Sequence, residues 1–233
     1  GVINAQPEDI VKTLPSYVAS EIITRGPSAT HDGSTSTKVA ITIDDGWSPN
    51  MVKRALDILA TKNAKATFFT VGSITDANRL NFIRAVNNGI ELGNHTDSHG
   101  WLTQMTDTQI AKEMETWKAK SEAADGAHYT TTWFRPPFMA GFGGHTKTAE
   151  RVTAIAKEKN MKIALWNIDP YSGISMRADA QAVTDYIVGN AKAGSIILLH
   201  FSQEHMDALP DIIDGLRAKG LEPVTMSELV SAN

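Results

Sequence analysis

Val39-Ala40-Ile41-Thr42-Ile43-Asp44-Asp45-Gly46 is an apolar run closed by two adjacent carboxylates and a glycine. The run reads as a buried strand, and a buried strand that ends in two acids is expensive. Desolvating an ionised carboxylate costs several kcal/mol unless it is paired, hydrogen-bonded or metal-bound. Neighbouring side chains of an extended strand point to opposite faces, so both acids reach one pocket only if the strand stops there. Gly46 supplies the backbone freedom for that stop. The bland alternative is a solvated Asp-Asp-Gly turn.

Outward from this run, strand-length apolar stretches recur at 66–71, 90–93, 132–135, 163–167, 196–200 and 223–225. Between them lie 3.6-period stretches at 49–62, 76–88, 107–124, 146–160, 178–191 and 206–219. Ser48-Pro49 places a capping side chain before a proline at the first helical position, and Gly89 and Gly220 read as helix stops. Alternating strands and helices predict parallel strands joined by right-handed crossovers, hence an α/β sheet or barrel. Residues 1–37, with Pro7, Pro15, Pro27 and a polar stretch at 33–37, read as an irregular lead-in. The chain shows no internal repeat and no interdomain linker, so one domain is expected.

The 233 residues suffice for one sizeable core, and the net charge of -4 offers no basic excess to neutralise phosphates. No nucleic-acid partner is therefore expected. No apolar run approaches the roughly 18 residues of a membrane-spanning helix. Cysteine is absent, which excludes disulfides and thiolate metal sites; a metal must be held by His, Asp or Glu.

His95-Thr96-Asp97-Ser98-His99 offers two imidazoles at i,i+4 spacing, expected on one face of a helical turn and close enough to share an ion. Position 96 is Thr rather than Glu, so this segment lacks the general base of an H-E-x-x-H motif. One carboxylate and two histidines make a metal site with room for water, and Asp44 is the natural base. Arg135 ends another strand in Phe134-Arg135-Pro136-Pro137-Phe138 and can hold Asp44 ionised. His200 closes the run 195–199; it is either a core histidine or a general acid, and as an acid it needs a carboxylate such as Asp169 to raise its pKa. Asp44, Asp45, Arg135, Asp169 and His200 all end or follow strands. In a β/α barrel those ends share one rim, where such folds carry their chemistry. His31, His128, His145 and His205 lack a comparable setting and are expected on the surface or in loops, with His205 a candidate to border the site.

Taken together, these residues resemble the polysaccharide deacetylases of the NodB-homology type, carbohydrate esterase family 4. The resemblance spans residues 38–230 and rests on five motifs in the family's order: 42–46, 95–99, 135–138, 166–169 and 197–200. It implies a distorted (β/α) barrel of seven or eight parallel strands, with 38–233 as the catalytic domain and 1–37 packed on the barrel. It implies one divalent metal, zinc first with cobalt or nickel as alternatives, held by Asp45, His95 and His99. Asp44 would be the base, His200 the acid and Arg135 the residue orienting the base. A backbone N–H near Phe138 would bind the oxyanion, and Leu198 would line the pocket for the acetyl methyl group.

The implied activity is removal of N-acetyl groups from a GlcNAc-containing polysaccharide of chitin or peptidoglycan type. O-deacetylation of acetylxylan, or a catalytically impaired carbohydrate-binding barrel, are the alternatives. An extracellular or envelope location and a monomer are expected. The sequence departs from the family at Trp47, where proline is frequent, and at Met139, where glycine is frequent. Trp166-Asn167-Ile168-Asp169 is followed by Pro170-Tyr171-Ser172-Gly173, where the family commonly has Asp-Trp; the acid-tuning Asp falls at Ser172 by spacing. Either Asp169 takes over that task or the acid is tuned less strongly, and Tyr171 can replace the aromatic wall.

Overall fold

The computed structural model describes residues 6–125, 130–143 and 146–231. Among them, eight strands form one sheet: β1 (Ile22–Ile23), β2 (Lys38–Asp45), β3 (Thr67–Thr70), β4 (Glu91–Asn94), β5 (Trp133–Phe134), β6 (Lys162–Ala164), β7 (Ile196–His200) and β8 (Glu222–Val224). The order is β1-β6-β5-β4-β3-β2-β7, with β8 paired to the start of β2, and every pairing is parallel. Each of the six expected helices serves as a crossover between successive strands, from Pro49–Lys62 to Gln203–Ala218. Ser48 caps the first of them, accepting the Met51 N–H at 3.3 Å.

Beyond β6 the chain runs on beside β7. Ile168 bridges Ile197, its N–H donates to the Ile196 carbonyl at 3.1 Å, and Leu198 N–H donates back to the Ile168 carbonyl at 2.9 Å. The sheet thereby curls into the distorted barrel that the family resemblance implies, one of the two forms open to alternating strands and helices. The lead-in, expected to be irregular, carries the short helices Pro7–Val11 and Ser16–Ala19 and contributes β1 beside β6.

Strand alternation divides the core in two. Ile41, Ile43, Phe68, Ile197 and Leu199 pack with the helices that carry Leu56 and Leu209, whereas Ala40, Phe69, Ile196 and Leu198 belong to a second cluster with Phe134 and Ile163. The interior strand β2 is buried on both faces, which is why its sequence is a near-continuous apolar run.

Candidate active site

Sheet register brings the polar residues together. Asp44 lies opposite His200, Asp45 opposite Thr70, Thr70 opposite Asn94, and Asn94 opposite Phe134. His95 and Arg135 are the next residues after Asn94 and Phe134, so one rim carries all five groups. β2 ends as expected: Asp45 itself takes φ 89° and Gly46 φ 111°. At Gly46 a Cβ would also stand 3.1 Å from the Ile74 side chain, so both conformation and space favour glycine.

The segment 95–99 is a loop, not the helical turn expected from i,i+4 spacing. Thr96 and His99 sit at φ 67° and 60°, which no helix accommodates. The Asn94 side chain accepts the Thr96 N–H, and the Thr96 hydroxyl accepts the His99 N–H, each at 3.0 Å. The imidazoles nevertheless converge, with their Nε2 atoms 3.3 Å (His95) and 3.2 Å (His99) from Asp45 Oδ1.

Three observations fit this triad to a divalent metal. Potential ligand atoms of Asp45, His95 and His99 lie within 4.8 Å of one another. Asp45 Oδ1 is buried yet has no hydrogen-bond partner among the described residues. His95 Nδ1 faces the Arg135 carbonyl at 2.6 Å, which fixes the proton there and turns the Nε2 lone pair toward Asp45. Two nitrogens and a carboxylate oxygen are a donor set suited to zinc. Burial alone would raise the Asp45 pKa, but the two imidazoles beside its carboxylate outweigh it and hold the group below the usual carboxylate range. For His95, burial disfavours the cation, yet Asp44 and Asp45 together carry its pKa above the ordinary histidine value.

Asp44 is almost fully buried and belongs to a different set of contacts. Arg135, with no solvent exposure, donates through Nη1 to Asp44 Oδ1 and to the Thr42 hydroxyl, both at 2.8 Å. Its Nε and Nη2 donate to the carbonyls of Ala164 and Leu165 at 2.9 Å. The guanidinium stacks over Phe69, 4.1 Å to the ring centroid, with Trp166 on another side at 5.3 Å. Burial lowers the Arg135 pKa and Asp44 opposes that shift. Trp166 thus flanks Arg135, and Leu198 is buried in β7. Thr42, the first residue of the 42–46 motif, ties Arg135 to β7 by donating to the Ile197 carbonyl at 2.6 Å.

The His200 side of the rim is arranged differently. Asp169 caps the short helix Pro170–Gly173: Oδ1 accepts the Tyr171 N–H and Oδ2 accepts the Ser172 hydroxyl, both at 2.9 Å. Burial raises the Asp169 pKa, and the Ser172 hydrogen bond works against that rise. Among the described residues, the buried His200 Nδ1 has no hydrogen-bond partner, so Asp169 makes no hydrogen bond to it. Tyr171 stacks on the His200 ring, 5.0 Å between centroids at 20°.

His205, expected on the surface or in a loop, is instead 1% exposed and accepts the His200 backbone N–H at 2.9 Å. Its helix begins at Gln203 rather than 206, and positions 205, 209, 212 and 216 form its buried stripe; that spacing was the available signal. His31 is exposed, as expected, while His128 and His145 lie outside the described residues. Two further aromatics stand beside the Asp45, His95 and His99 triad, both half-exposed. Trp101 stacks on Phe138 at 3.8 Å, and Trp47 meets His99 edge-on at 5.8 Å. Phe138, at φ 59°, packs edge-on to His99 at 4.7 Å.

Residues 31–164 match the polysaccharide deacetylase family. The chain is 30% identical over 202 residues to a peptidoglycan-N-acetylglucosamine deacetylase of Bacillus cereus, covering 82% of this chain and 87% of that one. The crystal structure of a peptidoglycan N-acetylglucosamine deacetylase in complex with an N-oxidanyl-benzamide superposes with a TM-score of 0.79 at 28% identity, over 95% of this chain and 98% of that one. A mutant of a carbohydrate esterase family 4 pseudoenzyme, with restored enzymatic activity, superposes with a TM-score of 0.79 at 25% identity, over 91% of this chain and 71% of that one. This chain belongs to the polysaccharide deacetylase family, carbohydrate esterase family 4, and has that family's barrel.

Proposed function

We propose that this chain is a metal-dependent hydrolase that removes N-acetyl groups from GlcNAc-containing polysaccharide, peptidoglycan or chitin-type glycan, at the cell envelope or outside the cell. The observation that carries the proposal is the orphaned Asp45 Oδ1 facing two histidines, beside a second carboxylate held by a buried arginine. The B. cereus relative supports peptidoglycan as the substrate class. The retained base and acid argue for catalysis rather than for a pseudoenzyme.

When bound by Asp45, His95 and His99, a divalent ion, zinc first, supplies Lewis acidity at the acetyl carbonyl and acidifies water. Asp44 takes a proton from the attacking water. Arg135 occupies Asp44 Oδ1, which leaves Oδ2 to face the triad, 3.7 Å from His95 Nε2. The backbone N–H at Phe138 helps to hold the oxyanion. Leu198 lines the acetyl pocket, and Tyr171 forms a wall beside the acid. His200, on the strand next to Asp44, gives its proton to the departing sugar amine. One observation favours a second reading: His200 Nδ1 has no carboxylate partner, which suits O-acetyl esters, whose leaving groups need less help from an acid.

Acetate release from N-acetylglucosamine oligomers, peptidoglycan and acetylxylan, with chelation followed by zinc or cobalt add-back, tests both readings. The N-deacetylase reading expects release from one of the first two, lost on chelation and recovered on add-back. Release from acetylxylan alone would favour the ester reading. Glycan binding without release, even with added metal, would place the chain with the pseudoenzymes.

A further inference from the structure

His205 lies outside the five motifs, yet it is among the most buried titratable groups of the rim. Among the described residues, His200 Nδ1 has no hydrogen-bond partner, and the Asp169 carboxylate that could orient it is engaged by Ser172 and by the Tyr171 N–H. Two other contacts hold the residue, one through its backbone and one through its ring. The His200 backbone N–H donates to His205 Nδ1 at 2.9 Å, and the Tyr171 ring lies against both imidazoles, 5.0 Å from His200 and 4.8 Å from His205. His205 is itself fixed in the first turn of Gln203–Ala218, where its N–H donates to the Ser202 hydroxyl at 3.2 Å.

Because Nδ1 accepts, the His205 ring is neutral and carries its proton on Nε2. Burial first, and then the neighbouring His200, push its pKa down to about 4, so it stays neutral where His200 must hold a proton. A cation at 205 would lose the acceptor and repel an imidazolium 6.1 Å away. We propose that His205 is a positioning residue: its neutral ring anchors the last residue of β7 to the following helix and, with Tyr171, sets the His200 imidazole for proton donation. This rests on His200 acting as the acid.

The test compares His205→Leu, which lacks the acceptor, with His205→Asn, whose Oδ1 replaces Nδ1, both with zinc content and melting temperature recorded. Each is assayed on an N-acetylglucosamine pentamer, whose amine must be protonated to leave, and on para-nitrophenyl acetate, whose phenolate leaves unaided. His205→Leu should lower kcat on the pentamer about tenfold to hundredfold, with KM and aryl-ester turnover each within about twofold. His205→Asn should recover most of that loss. Equal losses on both substrates, no loss on either, or an Asn variant as impaired as Leu would overturn the proposal. His200→Ala keeps it separate from the reading beneath it. If His200→Ala leaves the amide-to-ester ratio unchanged, His200 is not the acid; if it shifts that ratio and His205→Leu does not, the positioning role fails.

Discussion

Arg135 and Asp44 form a buried pair whose coupling can be worked out before it is measured. Arg135→Met keeps apolar contact with Phe69 and Trp166 but leaves Asp44 Oδ1, Thr42 and the Ala164 and Leu165 carbonyls without their donor. Removing one member of a buried ion pair costs about 3–5 kcal/mol, chiefly because the other charge is left unpaired. In a domain of this size each kcal/mol moves the melting temperature by roughly 2–4 °C, so the fall should be about 6–20 °C. Adding Asp44→Asn removes the stranded charge, and the double variant should be more stable than the sum of the single losses by about 2 kcal/mol. Urea midpoints in the presence of a chelator measure all four corners of the cycle without metal binding intruding. Losses that add to within about 0.5 kcal/mol would refute the reasoning, because the guanidinium would then not be compensating Asp44. Arg135→Lys should not rescue, since an ammonium cannot serve a carboxylate, a hydroxyl and two carbonyls with one planar fork.

Zinc titration of the chain should show tighter binding at about pH 8 than at about pH 6, with proton release on binding. The sign follows from His95, whose pKa its carboxylate neighbours raise despite burial, so that a proton competes for the ligand nitrogen; equal affinity at both pH values would count against it. His205 makes a second pH prediction. Its folded pKa of about 4 lies below the reference value of 6.5, so the unfolded chain binds the extra proton between them. Stability is then fully present above 6.5 and lost as pH falls toward 4, by ~3 kcal/mol at most. His205→Asn should flatten that limb in denaturant melts, and an unchanged acid limb would be the contrary result. Finally, His95→Ala should abolish zinc binding, whereas Asp44→Asn should retain zinc and lose about 10²–10⁴ in turnover; near-normal turnover in Asp44→Asn would remove it as the base.

What could be read from the chain followed periodicity. β2 is legible because an interior strand of a parallel barrel must be apolar on both faces, and its two acids stand out for the same reason. The rim was legible because parallel strands deliver their C-terminal ends to one side, whatever the loops do. The loop 95–99 was misread because i,i+4 spacing measures distance along a helix, whereas here convergence comes from two left-handed residues and the hydroxyl of Thr96. His205 lies outside the periodic stretch at 206–219 because the first turn of its helix, from Gln203, carries a polar sequence that hides an inward-facing position. The engagement of Asp169 by Ser172 could not be read at all, since it depends on the tertiary placement of a four-residue helix.

Backbone strain marks the same boundary between fold and site. Among the described residues, the non-glycine positive-φ positions are Asn63, Asn160 and five at the rim: Asp45, Thr96, His99, Phe138 and Met139. Asn63 and Asn160 follow helices, where asparagine takes this conformation at little cost. Thr96 is the costliest kind of exception, β-branched and fully buried. It persists because its N–H reaches Asn94, its carbonyl accepts from Gly72 at 2.9 Å, and its hydroxyl holds the His99 N–H. Thr96→Gly separates the two effects. Relief of about 1–2 kcal/mol of left-handed strain should be offset by a lost hydrogen bond of about 1 kcal/mol and by glycine's added chain entropy of roughly 0.5–1 kcal/mol. Stability should therefore stay within about 1 kcal/mol of the parent, while zinc affinity falls because His99 loses its anchor. A variant that binds zinc as tightly as the parent would show that the strain at Thr96 belongs to the fold and not to the site.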